Sequence, residues 1–133
     1  MKKLFFTFCF TLVSLFVFAQ NNYEKNIEEK AKQIYTAKTV TDYDKLFKEF
    51  STLKKSQDPY KWKAYYYAGF IMYKKAELIL NNNLNTDIKN TNALAEKFIS
   101  GALSTNPNDK ESTDLLNLIQ EQRKAIEMNI AIK

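Results

Sequence analysis

Histidine is missing from this 133-residue chain altogether, and cysteine, arginine and tryptophan occur once each, as Cys9, Arg123 and Trp62. Without histidine the usual general base and the commonest zinc ligand are gone. A single cysteine permits no internal disulfide and no paired-thiolate site. Glycine and proline are also scarce, two of each (Gly69, Gly101, Pro59, Pro107), which suits long helices joined by few sharp turns. No stretch shows convincing strand alternation. Only one basic residue is an arginine, and the lysines are interleaved with acids rather than clustered. That pattern describes a solvated mixed-charge surface and argues against a nucleic-acid partner.

Apolar length is concentrated at the start. Met1, Lys2 and Lys3 precede an uncharged, mostly apolar run from Leu4 to Phe18, followed by Ala19 with Val17 two positions earlier. This is the pattern of a secretory signal peptide. The run is shorter than the roughly 20 residues of a membrane span. Cys9 lies within the run and follows Phe8, unlike a lipid-attachment cysteine, which follows small residues and ends the run. Cleavage after Ala19 is expected, dividing the chain into a signal peptide, 1–19, and a single helical domain, 20–133. Such cleavage removes the only cysteine and lowers the net charge from +5 to +3. The expected location is exported, periplasmic or secreted, with no integral span remaining.

Five helical periodicities follow. The first, Tyr23 to Lys38, places Tyr23, Ile27, Ala31, Ile34 and Tyr35 on one face, with Glu24, Glu28 and Glu29 near its positive end. The second, Asp42 to Lys55, has Thr41 as the expected N-cap and an apolar stripe of Tyr43, Leu46, Phe47, Phe50 and Leu53. Lys45, Lys48, Lys54 and Lys55 oppose Phe47 and Phe50, a pattern that also suits a membrane surface, but packing is favoured because helices flank it. The third, Asp58 to Leu80, is the centre of the chain: DPYKWKAYYYAGFIMYKKAELIL holds Trp62, Phe70 and five of the eight tyrosines. Asp58 is placed to cap it and Pro59 to occupy its first position. Its broad apolar face (Trp62, Tyr65, Tyr66, Gly69, Phe70, Met72, Tyr73, Ala76, Leu80) and a narrower one (Tyr60, Ala64, Tyr67, Ile71, Leu78) predict neighbours on more than one flank. Asn81 to Asn92 is rich in Asn and Thr and reads as a loop. The fourth helix, Thr91 to Ser104, buries Leu94, Ala95, Phe98, Ile99, Ala102 and Leu103; the fifth, Asp109 to Ala131, aligns Leu115, Leu118, Ile119, Gln122, Ile126 and Ile130. The fold class is therefore all-α, with five helices in antiparallel pairs.

Spacing in the third and fourth helices matches a known repeat. Ala95, Ile99, Ala102 and Pro107 stand at the second-helix positions of the tetratricopeptide pattern, and Tyr65, Ala68, Gly69 and Met72 at the first-helix positions. Trp62 to Pro107 thus resembles small exported bacterial proteins with tetratricopeptide-like repeats. The chain departs from the pattern between the helices: Gly69 and Ala95 stand 26 residues apart, against about 12 in a standard repeat. Towards the N-terminus, Ile27, Ala31 and Ile34 match first-helix positions, while Phe47 replaces an expected alanine. Asn117 gives the last helix the look of a capping helix. The resemblance implies a short superhelix or bundle of tetratricopeptide-like pairs and a role in protein–protein interaction.

In such folds the first helix of a pair lines the concave face. That places Tyr60, Lys63, Tyr67, Ile71 and Lys74 as candidate partner-binding residues, and Trp62, Gly69, Tyr73, Ala95, Ala102 and Pro107 as structural ones. The expected partner is an unidentified protein or peptide. Alternative functions are a small-ligand binder stacking its guest on exposed tyrosines, or a self-associating structural envelope protein, which allows a homo-oligomer. Catalysis is not expected, since Glu24, Glu28, Glu29, Glu49 and Glu77 fall where solvated helix faces belong. No cofactor is expected. Asp87 among its asparagines lacks the acid density of a calcium loop, so no metal is expected either.

Overall fold

The computed structural model describes residues 22–54, 59–84 and 86–132, and they fold as five α-helices without strands. The expected signal segment 1–19, Cys9 and the proposed Asp58 cap lie outside the described residues.

Helix α1 covers 22–31 and tightens into a 3-10 turn at Lys32–Thr36. Ile27, Ala31 and Ile34 are buried, as their spacing predicts, but Tyr35 is 78% exposed and the helix stops short of Lys38. The reason is the next helix. In α2, Val40–Leu53, the Asp42 carboxylate accepts from the backbone N–H of Lys38 and of Thr39, each at 3.0 Å, while Thr39 Oγ1 accepts from Asp42 N at 3.1 Å. This capping box makes Thr39, not Thr41, the N-cap. The acid three residues after Thr41 is Asp44, and it is committed to Lys75 at 2.6 Å. Tyr43, Leu46 and Phe50 form the buried stripe of α2, and Phe47 meets the Phe98 ring edge-on at 4.9 Å. The second helix is thus packed against the core.

Helix α3, Lys61–Asn81, packs against α2, α4 and α5 and is the centre of the fold. Pro59 and Tyr60 form the turn before it, so the helix begins two residues beyond the expected proline. Its buried line is made mostly of small residues: Ala64, Ala68, Gly69, Ile71, Met72, Ala76 and Ile79. The bulky rings of Trp62, Tyr65, Tyr66, Tyr67, Phe70 and Tyr73 are half-buried on either side.

The predicted loop is half as long as expected. Helix α4 spans Ile88–Thr105 and starts at Asp87, whose carboxylate accepts from Asn90 N at 3.2 Å. The connection is 82–87, with Asn83 at φ 50°, a left-handed conformation that asparagine tolerates. Helix α5 spans Lys110–Ile132 and starts at Asp109, which accepts from Ser112 N at 2.8 Å and Ser112 Oγ at 2.6 Å.

Two kinds of contact lock α3, α4 and α5. Glycine permits close approach. A Cβ on Gly69 would stand 2.7 Å from Ile99 Cγ1 and 3.1 Å from the Ala95 carbonyl oxygen, and one on Gly101 would stand 2.5 Å from the Tyr65 ring. The second lock is a buried polar knot. Asn92, 1% exposed, donates to Ile119 O at 3.0 Å and to Gln122 Oε1 at 2.9 Å. It accepts from Arg123 Nε at 3.0 Å, and Gln122 Nε2 donates to Tyr73 O at 3.0 Å. Arg123 also pairs with Glu96. Among the described residues, no helix is long and apolar enough to cross a membrane.

Candidate functional site

A cleft of about 500 Å³ opens where the first turns of α1, α3 and α5 converge. Each helix contributes through its own N-terminal sequence. Helix α1 supplies Glu24 and Glu28, four residues apart and so on one face. The turn before α3 and its first two turns supply Tyr60, Trp62, Lys63, Tyr66 and Tyr67, while Asp109 and Glu111 come from the start of α5. Four aromatic rings and four carboxylates therefore surround one lysine, giving a net-negative site on a chain whose formal charge is +5.

Lys63 is anchored from two sides. Its Nζ lies 2.5 Å from Glu24 Oε1 and 2.9 Å from Glu28 Oε1. The same ammonium stands 5.7 Å from the Tyr60 ring centroid and 5.8 Å from that of Trp62, within cation–π range. Tyr67 OH donates to Glu28 Oε2 at 3.0 Å, and the Tyr67 ring meets Tyr66 at 5.2 Å and Phe50 at 5.6 Å. A row of rings thus links the cleft to the core.

The titration behaviour follows from these contacts. Burial pushes the Glu28 carboxyl up, but the Lys63 ammonium and Tyr67 hydroxyl that donate to it together hold it below its ordinary value. Burial pulls Lys63 down, and the Glu24 and Glu28 carboxylates more than reverse this, leaving it raised. Burial, then the charge of Glu111, then Tyr35 and the charge of Asp109, push the Tyr66 hydroxyl up to about 12. Tyr67 is raised further, by burial and by its Glu28 neighbour. Both phenols are neutral hydrogen-bond donors at ordinary pH.

Three of the five expected partner-binding residues, Tyr60, Lys63 and Tyr67, meet in this cleft. The other two do not. Ile71 is fully buried and belongs to the core, because α2 covers the face of α3 that the sequence leaves open. Lys74 stands off the cleft and pairs with Glu77 at 3.2 Å. Among the expected structural residues, Gly69, Ala95 and Ala102 are buried between helices, and Tyr73 is half-buried against the core. Pro107 sits exposed in the turn after α4. Trp62 is half-buried and lines the cleft wall near the start of α3.

Sequence reasoning missed Tyr66, Asp109 and Glu111 as cleft residues. The helical spacing of Glu24 and Glu28 is legible locally, but nothing local brings α5 to them. Among the described residues, no group of three or more acids, cysteines or histidines is placed to hold a metal ion. The chain matches no family model, no curated protein and no solved structure.

Proposed function

We propose that this protein is an exported, non-catalytic helical module that recognises a segment of another protein in the cleft at the head of α3. The observation that carries the reading is the cleft itself: four rings converge at a half-open site outside the packed core. Rigid aromatic side chains give large contact area with few rotamers to freeze, which is why they dominate binding surfaces. A tetratricopeptide-like antiparallel pairing of α3 and α4 is part of the proposal. It is supported by contacts that descend α4 as they ascend α3, from Tyr65 with Gly101 to Gly69 with Ala95.

The test is a pull-down from an envelope fraction with the wild-type protein and with Trp62→Ala. Trp62 is half-buried on the cleft wall, so the Tm of the variant is followed alongside and capture is compared below the melting range of both proteins. The expected result is a partner retained by the wild type and lost by the variant. Equal capture by both overturns the reading. A second reading, a small-molecule site, is favoured by one feature: about 500 Å³ lies within the usual range of ligand pockets. A thermal-shift screen that raises the Tm of the wild type but not of Trp62→Ala identifies it.

A further inference from the structure

The two halves of the cleft differ in how their charge is met. On the α1 side, Glu24 and Glu28 hold the Lys63 ammonium between themselves and the rings of Tyr60 and Trp62. That arrangement shows which guest such walls suit: a cation flanked by carboxylates and aromatic faces. On the α5 side, Asp109 and Glu111 face the same space beside Tyr66. Among the described residues, no lysine or arginine forms an ion pair with either. Lys110, which lies between them in sequence, pairs with Asp114 at 2.6 Å instead. Asp109 uses Oδ2 to cap α5, and Oδ1 makes no bond that competes. A helix N-terminus by itself favours anions. Here the first turn already carries two acids of its own, so an added anion meets repulsion and an added cation does not.

We infer that the α5 side of the cleft receives the cationic side chain, lysine or arginine, of an extended segment of a partner protein. The inference deepens the proposed function and rests on it. The volume decides between a bound side chain and a bare ammonium ion. Lys63 and its two carboxylates occupy the α1 wall, yet about 500 Å³ stays open, room for an alkyl stem and flanking backbone as well as a charged head. Lysine and arginine stems lie well along apolar ring faces while their heads remain polar. Trp62, Tyr66 and Tyr67 offer those faces. Charge also sets the approach. The chain carries a modest net positive charge, so a locally acidic cleft favours a cationic segment over the mixed-charge surface around it.

The protein carries its own reporter, because Trp62 is its only tryptophan and lines the site. The experiment titrates it with a Gly-Ser peptide bearing one central lysine, with the same peptide bearing norleucine, and with tetramethylammonium chloride at matched ionic strength, following tryptophan emission. The lysine peptide is expected to produce a saturable change and to bind about tenfold more tightly than the norleucine peptide. Glu111→Gln is expected to weaken it about threefold, and Asp109→Asn with Glu111→Gln about tenfold. Tm should hold, since asparagine caps a helix as well as aspartate. No response to the lysine peptide, or no weakening by Glu111→Gln, overturns the inference. Equal binding of the norleucine peptide also overturns it, yet leaves the broader reading of a segment-binding cleft intact. Tetramethylammonium binding as tightly as the peptide overturns both in favour of a free amine.

Discussion

Replacing Asn92 with leucine tests the central polar knot. The side chain is 1% exposed and makes three hydrogen bonds, at 2.9 to 3.0 Å, to Ile119 O, Gln122 Oε1 and Arg123 Nε. Leucine fills nearly the same volume, so the cavity contribution is small and the effect is polar. The three orphaned partners are not equal. Ile119 O lies within α5, and a carbonyl there has a helical partner of its own. Arg123 keeps Glu96, and its side chain is 38% exposed, so water replaces the lost acceptor. Gln122 is 8% exposed, and its Oε1 is left without a partner at a cost of about 1–3 kcal/mol. Loss of the other two bonds adds about 1 kcal/mol, and burying leucine in place of the amide returns about 1.5–3 kcal/mol. The expected net destabilisation is centred on about 1 kcal/mol, a Tm lower by about 4–6 °C. The discriminating variant is Asn92→Leu with Gln122→Leu. Removing both amides leaves no buried polar orphan on either side chain, so the double variant should be more stable than the sum of the singles predicts, by about 1–2 kcal/mol. Urea unfolding of the four proteins measures this coupling. Additivity within about 0.5 kcal/mol would refute the assignment of the cost to Gln122 Oε1.

Three further perturbations follow from the packing and the cleft. Gly69→Ala places a Cβ 2.7 Å from the fully buried Ile99 and 3.1 Å from a backbone oxygen. Overpacking of about 1–3 kcal/mol exceeds the helix-propensity gain of about 0.5–1 kcal/mol, so the variant should lose stability in urea, and one as stable as wild type contradicts the close approach. Gly101→Ala should lose less, because the ring it meets, Tyr65, is half-buried and can swing outward. For pH, the stability difference between wild type and Glu28→Gln is the quantity to follow. The Glu28 carboxyl is held below 4.5, so its contribution is complete above that pH and is lost as the pH falls through the lower, folded value. Lys63 is held above 10.5, so its contribution is complete below that pH and is lost as the pH rises through the higher, folded value. The difference should be flat through neutrality and shrink at both extremes; growth of the difference in acid contradicts the pairing.

Five helices and the central place of α3 are legible in the sequence because they rest on local signals: apolar residues three and four apart, acids at N-termini, and few breakers. Boundaries were harder where two local signals compete. Thr39 and Thr41 are both threonines followed three residues later by an aspartate, so local sequence alone does not choose; in the fold Asp42 closes the box on Thr39, and Asp44 pairs with Lys75. Asn92 shows the limit most clearly. Asn92 ends a run rich in asparagine and threonine that reads as loop, yet Asp87 caps α4 early enough to carry it into the second turn of the helix. Its partners at 119, 122 and 123 lie about 30 residues away, outside any local window. The cleft was legible only in part for the same reason: Glu24 with Glu28, and Lys63 with Tyr67, share local spacings, but its α1, α3 and α5 walls are more than 30 residues apart in sequence.

The cleft and the tight core have one origin. Along α3 the buried line runs through Ala64, Ala68, Gly69 and Ala76, and at Gly69 helix α4 comes so near that a methyl group would collide with the Ile99 side chain and crowd the Ala95 carbonyl. No aromatic ring fits on that line. Tyr65 finds room only because residue 101 is the other glycine. The remaining rings are displaced to the flanks, where Phe70, Tyr66 and Tyr67 form a row with Phe50 and Tyr35. Tyr60 and Trp62 come before the zone of closest approach and are left at the open end, where α1 and α5 bring carboxylates rather than apolar cover. Small residues that draw two helices together therefore also displace the large ones to the flanks and the open end. It follows that the cleft is a consequence of the α3–α4 packing and not an addition to it. A variant that forces those helices apart should disturb Trp62 emission even though it touches no cleft residue, whereas Asn92→Leu, at the other seam, should leave that emission unchanged.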